Sequence, residues 1–359
     1  MTIQSLSAAQ TIAQLDAFGA VIDARSPGEF AEDHLPGAVN WPVLDDAERK
    51  LVGTEYKQVS AFEAKKRGAA LVAKNIAAHI ERHVMQQPKG WQPLVYCWRG
   101  GKRSGSMAWF LDQMGFRTHV LEGGYKAFRA AVMSELETLP ARFAFNVVCG
   151  KTGSGKTRLL GALREAGAQV LDLEDLASHR GSVRGIVPGR PQPSQRAFET
   201  AVWDGLRRFD PARPVFIESE SKKVGNVAVP EGLIAAMRAS PCLQLDLPED
   251  ERVALLLEDY DFFVKDIEFF CDRLGALTQA RGKETVADWQ QRSRSGDVAA
   301  VVRELLVTHY DPVYLQSMRR NFTQYASAPV IAPQGRSVAA MTALARQRRA
   351  GSTGISLTV

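Results

Sequence analysis

The residues best equipped for chemistry form one stretch, Cys97-Trp98-Arg99-Gly100-Gly101-Lys102-Arg103-Ser104. The apolar run before it, Pro93-Leu94-Val95-Tyr96, predicts a short buried strand. Ser104 is expected to open a helix, because Met107, Phe110, Leu111 and Met114 keep helical spacing. A cysteine between a strand end and a helix start sits among backbone N–H groups at the positive end of the helix dipole. Arg99, Lys102 and Arg103 add to that field. Such surroundings favour a thiolate and hold an anion beside it. Cys97 is therefore expected to be a catalytic nucleophile, with Trp98 to Ser104 as a donor-anion loop. A buried small hydrophobe is the usual fate of a free cysteine, but it leaves the Gly-Gly-Lys-Arg sequence unexplained. Cys149, Cys242 and Cys271 lie on apolar strands or a helix, and for them that plainer fate is expected.

A second stretch, Gly150-Lys151-Thr152-Gly153-Ser154-Gly155-Lys156-Thr157, fits G-x-x-x-x-G-K-[ST] in full. It has the required context, an apolar strand at 143–149 before it and a helix at 158–166 after it. The glycines let backbone N–H groups turn inward around a phosphate, Lys156 adds a point charge, and Thr157 offers a hydroxyl to Mg²⁺. A phosphate or diphosphate site is expected here. An acidic strand end should face it. Glu218, ending Val-Phe-Ile-Glu, is the first candidate and Asp172 the second, and each serves equally well as a structural cap. Thr157 and Glu218 are the candidate Mg²⁺ ligands, and Glu220 belongs to the same acidic cluster. His179-Arg180-Gly181-Ser182, with Arg184 and Arg190, is a basic loop that fits a phosphate- or RNA-binding flap as well as a solvated surface.

These stretches need elements to position them. Strands at 20–24, within the turn and strand of 34–40, at 93–96 and at 118–122 alternate with helical segments, and a second series follows at 143–149, 170–173, 214–218 and 242–246. Alternation of this kind implies α/β architecture with parallel sheets. A chain of 359 residues exceeds what one core usually organises. Residues 1–138 are expected to form one domain and 139–325 a phosphate-loop domain that turns helical after Pro248. Residues 326–359 should add a strand, a basic helix and a tail. The content of 45% apolar and 24% charged residues is that of a soluble globular protein. Four scattered cysteines without a CxxC pair argue for a reducing cytosol and against a disulfide scaffold or zinc site. With no membrane-length apolar run and no signal peptide, the expected location is cytoplasmic. A net charge of +5 is compatible with nucleic acid. Candidate RNA contacts are Arg207, Arg208, Lys222, Lys223, Arg319, Arg320, Arg346, Arg348 and Arg349.

The first third resembles the rhodanese (sulfurtransferase) family. The resemblance is carried by Asp23-Ala-Arg25-Ser-Pro-Gly-Glu-Phe30, His34-Leu-Pro-Gly-Ala-Val-Asn40, the Cys97 loop, and Leu121-Glu-Gly-Gly-Tyr125. It implies a rhodanese-like parallel sheet, a chalcogen-carrying cysteine, and a structural role for Asp23 and Arg25. Arg103 comes six residues after Cys97 where ordinary rhodaneses have five. That is the loop length of the rhodanese-like cell-cycle phosphatases, which carry His where this chain has Tyr96. The loop therefore suggests a phosphorus-bearing chalcogen donor. Followed by the phosphate loop, Leu-Asp-Leu-Glu, His-Arg-Gly-Ser and Ile-Glu-Ser-Glu-Ser, the whole resembles the bacterial tRNA 2-selenouridine synthases as a family. That resemblance implies geranylation of the sulfur of wobble 2-thiouridine from geranyl diphosphate, then its replacement by selenium from selenophosphate. It implies tRNA as partner, with an enzyme that supplies selenophosphate as a second candidate, and no membrane. Cys97 would accept selenium and pass it on. The rivals are an ATP-dependent kinase or ATPase fused to a sulfurtransferase, and a non-enzymatic sulfur-sensing nucleotide switch.

Overall fold

The computed structural model describes residues 3–179, 189–259 and 265–352. They form two compact units. The first comprises Met1–Thr138, Arg190–Arg207 and Asn226–Pro230, and the second Leu139–Gly189, Arg208–Gly225 and Glu231–Val359.

Along the first 138 residues run β1 (Gln4–Leu6), α1 (Ala8–Ala13), β2 (Ala20–Asp23), α2 (Pro27–Glu32), β3 (Ala38–Asn40), α3 (Asp46–Gln58), α4 (Ala61–His79), β4 (Pro93–Tyr96), α5 (Lys102–Gln113), β5 (His119–Leu121) and α6 (Gly124–Thr138). The strands form one parallel sheet in the order β1-β5-β4-β2-β3. The chain leaves β2 toward one edge and β4 toward the other. The gap between them is thus a switch point, where such sheets bind ligands beyond their strand ends. Cys97 follows β4 at that point. Ile22, Val95, Met107, Ala108 and Leu111 pack the core beneath it. α5 starts two residues earlier than expected, at Lys102. Gly101 is its N-cap, and Ser104 stands inside the first turn. The edge strand β1 was not foreseen, because three residues carry too little periodicity.

The remaining elements are β6 (Phe145–Cys149), α7 (Lys156–Glu165), β7 (Gln169–Leu171), α8 (Leu173–Leu176), α9 (Gln195–Arg207), β8 (Val215–Glu218), β9 (Lys223–Val224), β10 (Val227–Ala228), α10 (Glu231–Ala239), β11 (Cys242–Leu245) and α11 (Glu249–Asp259). A helical region follows with α12 (Ile267–Gly275), α13 (Thr278–Arg281), α14 (Lys283–Arg294), α15 (Val298–Leu305) and α16 (Asp311–Asn321). β12 (Val330–Ile331) and α17 (Val338–Ser352) close the chain. The second sheet is also parallel, in the order β12-β11-β6-β8-β7. Val148 lies opposite Glu218 in the β6–β8 register, which brings that carboxylate level with the start of the phosphate loop. β6 and α7 share a core with Met341 and Leu344 of α17, while Phe270, Leu274, Trp289, Val301 and Leu305 fill a separate helical core.

The grouping in space departs from the linear division at 139 and 326. α9 clusters with the first unit because its apolar face meets α6. Trp203 lies edge-on to Phe128 at 5.4 Å and donates its indole N–H to Glu135 at 2.6 Å. β12 and α17 belong to the second unit, as the sheet pairing and the shared core require.

Candidate active sites

In the first unit the strand end, the loop and the next helix close around one sulfur. Cys97 is only 3% exposed, and the Ser104 hydroxyl donates to its Sγ at 3.1 Å. The loop is held from below, with the Tyr125 N–H donating to the Cys97 carbonyl at 2.8 Å and the Lys126 N–H to the Trp98 carbonyl at 3.0 Å. This close approach requires glycine at 124. A Cβ there would lie 2.2 Å from the Cys97 oxygen and 2.5 Å from the Gly100 nitrogen, and its φ is +58°. Trp98 packs beside the Tyr125 ring at 5.4 Å. Asp23 and Arg25 take the structural part expected of them. The buried Arg25 guanidinium donates to Asp23 at 2.6 Å and to the Asp33 carbonyl at 2.6 Å.

One expectation is corrected. Arg103 is no free anion holder, because Glu29 of α2 takes its guanidinium at 2.6 and 3.3 Å. Burial would raise the Glu29 carboxyl, but hydrogen bonding and charge from Arg103 hold it below its usual range. Arg103 is thus a strut for the loop, whereas Arg99 and Lys102 are exposed at its rim.

In the second unit, Gly153 and Gly155 adopt φ of +77° and +85°, which lets the loop curl before α7. Side chains are excluded around it. A Cβ on Gly150 would lie 2.3 Å from the Ser154 hydroxyl, and one on Gly155 2.6 Å from Met341. The Lys156 ammonium donates to the Gly150 carbonyl at 2.8 Å, so a phosphate must draw it off that oxygen. The Thr157 hydroxyl donates to Glu174 at 3.1 Å. Lys151 lies 3.9 Å from Asp311.

The acidic cluster differs from expectation in its parts. Glu218 is buried and accepts the Glu174 N–H at 2.7 Å, while its Oε2 has no partner among the described residues. Burial, then the charges of Asp172, Glu174 and Glu220, pushes its carboxyl well above the usual range. Burial and Glu174 push Glu220 up to about 8. Asp172 caps α8 by accepting the Asp175 N–H at 2.9 Å and lies 3.6 Å from Arg164, which makes it a helix cap. Glu174, two residues on, is the carboxylate that meets Thr157. His179 is buried and its Nδ1 lacks a partner among the described residues; burial lowers its basicity. It does not line the cavity above the phosphate loop. Arg180, Ser182 and Arg184 lie outside the described residues, as do the side chains of Arg348 and Arg349. Arg207 is spent on Asp16 and Asp204, at 3.0 and 2.7 Å.

Above the loop is a cavity of about 510 Å³. Residues 152–158, Glu174 and Ser219 to Ser221 line one side. Leu255 and Leu256 of α11, Tyr310, and Val313, Tyr314, Met318 and Phe322 from α16 and just beyond line the other. Tyr314 seals the junction. Its hydroxyl accepts the Gly150 N–H at 2.6 Å and meets the Ser219 hydroxyl at 3.1 Å, and its ring lies 5.6 Å from the Lys156 ammonium. Arg252 ties the wall to the loop, donating to the Thr152 carbonyl at 2.9 Å and to Asp311 at 2.9 and 2.6 Å. Tyr314 and Arg252 escaped sequence reasoning, since each acts on the loop from more than ninety residues away. Glu174 had a signal, its place in Leu-Asp-Leu-Glu. Cys149 is inert by contrast, because its hydrogen bond with Cys242 and then burial push its thiol up.

Family models match residues 7–131 as a rhodanese-like domain and residues 143–280 as a tRNA 2-selenouridine synthase AAA domain. A tRNA 2-selenouridine synthase of Marinobacter nauticus is 32% identical over 82% of this chain and 87% of its own length. The chain belongs to the tRNA 2-selenouridine synthase family. Members from Nitrosomonas europaea and a Sulfurovum species are each 37% identical over 67% of this chain. Those two matches span 63% and 65% of the relatives' lengths, just under two thirds. In this tRNA 2-selenouridine synthase family member, Cys97 falls in the rhodanese-like match and the phosphate loop in the AAA match. No helix among the described residues is long and apolar enough to cross a membrane.

Proposed function

We propose that this chain makes 2-selenouridine in tRNA in two stages. The phosphate-loop cavity geranylates the sulfur of wobble 2-thiouridine, and the Cys97 loop exchanges that sulfur for selenium. The cavity's two-sided lining carries this reading. A phosphate loop faces Leu255, Leu256, Val313, Met318 and Phe322 across one space. That combination gives a diphosphate its loop and an isoprenoid tail an apolar wall.

In the first stage the thiouridine sulfur attacks C1 of geranyl diphosphate. The C1–O bond breaks, diphosphate leaves with the electron pair, and the N3 proton goes to solvent. Loop N–H groups and Lys156 stabilise the departing charge. Mg²⁺ fits here as a partner of the substrate's phosphates. The Thr157 hydroxyl and Glu174 supply hard oxygens, and Glu218 Oε2 is buried without a partner among the described residues. Among the described residues no group of three His, Cys, Asp or Glu could hold a metal alone, so the phosphates would complete its shell. When bound, it would neutralise diphosphate charge.

In the second stage electron balance restricts what Cys97 does. Selenium in selenophosphate is already at the selenide level, so storing it as an S–Se bond on Cys97 would need an oxidant. The balanced route has the Cys97 sulfur add to C2 of the geranylated base and expel geranyl thiolate. Selenium of selenophosphate then displaces Cys97, and water splits the P–Se bond. Arg99 and Lys102 at the loop rim hold the phosphate end.

Mass spectrometry of 2-thiouridine-containing tRNA, incubated with geranyl diphosphate and selenophosphate singly and together, tests the reading. Geranyl diphosphate alone should give the geranylated base, and both donors together should give 2-selenouridine. Absence of geranylated product, with ATP consumed in its place, would return the phosphate loop to a nucleotide-dependent reaction.

A further inference from the structure

The phosphate-loop cavity has a second place for an anion. Arg238 of α10 lines it, and its Nε is buried without a partner among the described residues. Among the described residues its guanidinium has neither a hydrogen bond nor an ion pair. Arg158, which lines the same cavity, is paired with Asp259, and Arg252, which holds the phosphate loop, with Asp311. An unpaired guanidinium in a cavity wall, with a planar fork of donors, is built for an oxyanion.

Its position says which one. The Arg238 carbonyl accepts the Thr323 N–H at 3.1 Å, which fixes this residue beside the C-terminal end of α16. Tyr314, at the other end of the lining, touches the phosphate loop. From Tyr314 to Asn321 the helix rises about 10 Å, and Met318 lies between them on the cavity wall. With the donor's diphosphate held by the loop N–H groups and Lys156 at one end of the lining, Arg238 stands toward the other end, where a second anion would meet it.

We propose that Arg238 holds a phosphodiester of the RNA beside the reacting uridine, so that the donor and the nucleoside enter the cavity from opposite ends. The proposal rests on the geranyl-transfer reading above for the identity of the acceptor. It adds a binding residue that reading does not require.

The test uses the full chain without donor, a thiolated anticodon stem-loop and inorganic diphosphate. Arg238→Gln should weaken stem-loop binding about tenfold and lower the slope of log K against log salt by about 0.7 to 1. Its affinity for diphosphate should stay at the wild-type value, which also reports a folded loop. Arg238→Lys should restore part of the RNA affinity. Should Arg238→Gln not fold, the wild-type protein answers with stem-loops bearing one neutral methylphosphonate beside the uridine, which should bind about tenfold more weakly. Weakened diphosphate binding with RNA binding unchanged would assign Arg238 to the donor and overturn the proposal. So would no change in either, or indifference to the methylphosphonates. Failure of the geranyl-transfer reading itself would show separately, as a wild-type protein that binds the stem-loop but never alkylates it.

Discussion

At the scale of residues, both sites depend on space denied to side chains as much as on the reactive groups. Gly124→Ala would push a Cβ into the Cys97 carbonyl and the Gly100 nitrogen. The Cys97 loop must then shift, and selenation should fall at least tenfold while geranylation continues, as separate product assays would show. Lys156→Ala removes the charge that meets the leaving diphosphate. Loss of one such contact typically costs about 10²–10³ in kcat, so geranylation should fall by that factor. Selenation of tRNA supplied already geranylated should persist. Equal losses in both assays would mean that Lys156 serves the second reaction too.

At the scale of elements, α16 is the part that turns a phosphate loop into an enclosed cavity. Arg252 pins it by spanning the Thr152 carbonyl and Asp311. Arg252→Ala leaves Asp311 and the Thr152 carbonyl without that partner. Breaking a buried ion pair from one side costs about 3–5 kcal/mol, visible as an earlier urea midpoint. KM for geranyl diphosphate should rise as the apolar wall loosens. An unchanged KM in a folded variant would remove α16 from donor binding. Elements of this kind also mark how far the sequence could be read. The Cys97 loop and residues 150–157 were legible because each is local, a strand, a glycine-bearing turn and a helix in one run. Asp172 and Glu218 were nominated by strand-end position, yet only the spatial arrangement shows Glu174 meeting Thr157 and Asp172 capping α8. Arg103 looked free because Glu29 lies 74 positions away along the chain. Tyr314, Arg252 and Arg238 carry no local motif, and their roles come from tertiary packing alone.

At the scale of the whole molecule, the carboxylates near the phosphate loop make stability depend on pH. Burial raises Glu220 to about 8, and Glu218 moves the same way. A carboxyl raised on folding stabilises the protein fully below its unfolded value near 4.5. That contribution is lost as pH rises through the folded value. The ligand-free protein should therefore melt at progressively lower temperature from about pH 5 to pH 8. Glu220→Gln should flatten part of that slope. Mg²⁺ with inorganic diphosphate should flatten it in the wild type if the cluster meets the metal. A slope of opposite sign would mean the carboxylates are ionised and paired in the folded protein.

The division of labour between the two sites is the central claim, and one measurement addresses it directly. Cys97→Ser protein is incubated with 2-thiouridine tRNA, geranyl diphosphate and selenophosphate, and the nucleosides are analysed by mass spectrometry. The geranylated thiouridine should accumulate to the wild-type single-donor level, with no 2-selenouridine formed. Loss of both products to the same degree would contradict two sites with separate tasks.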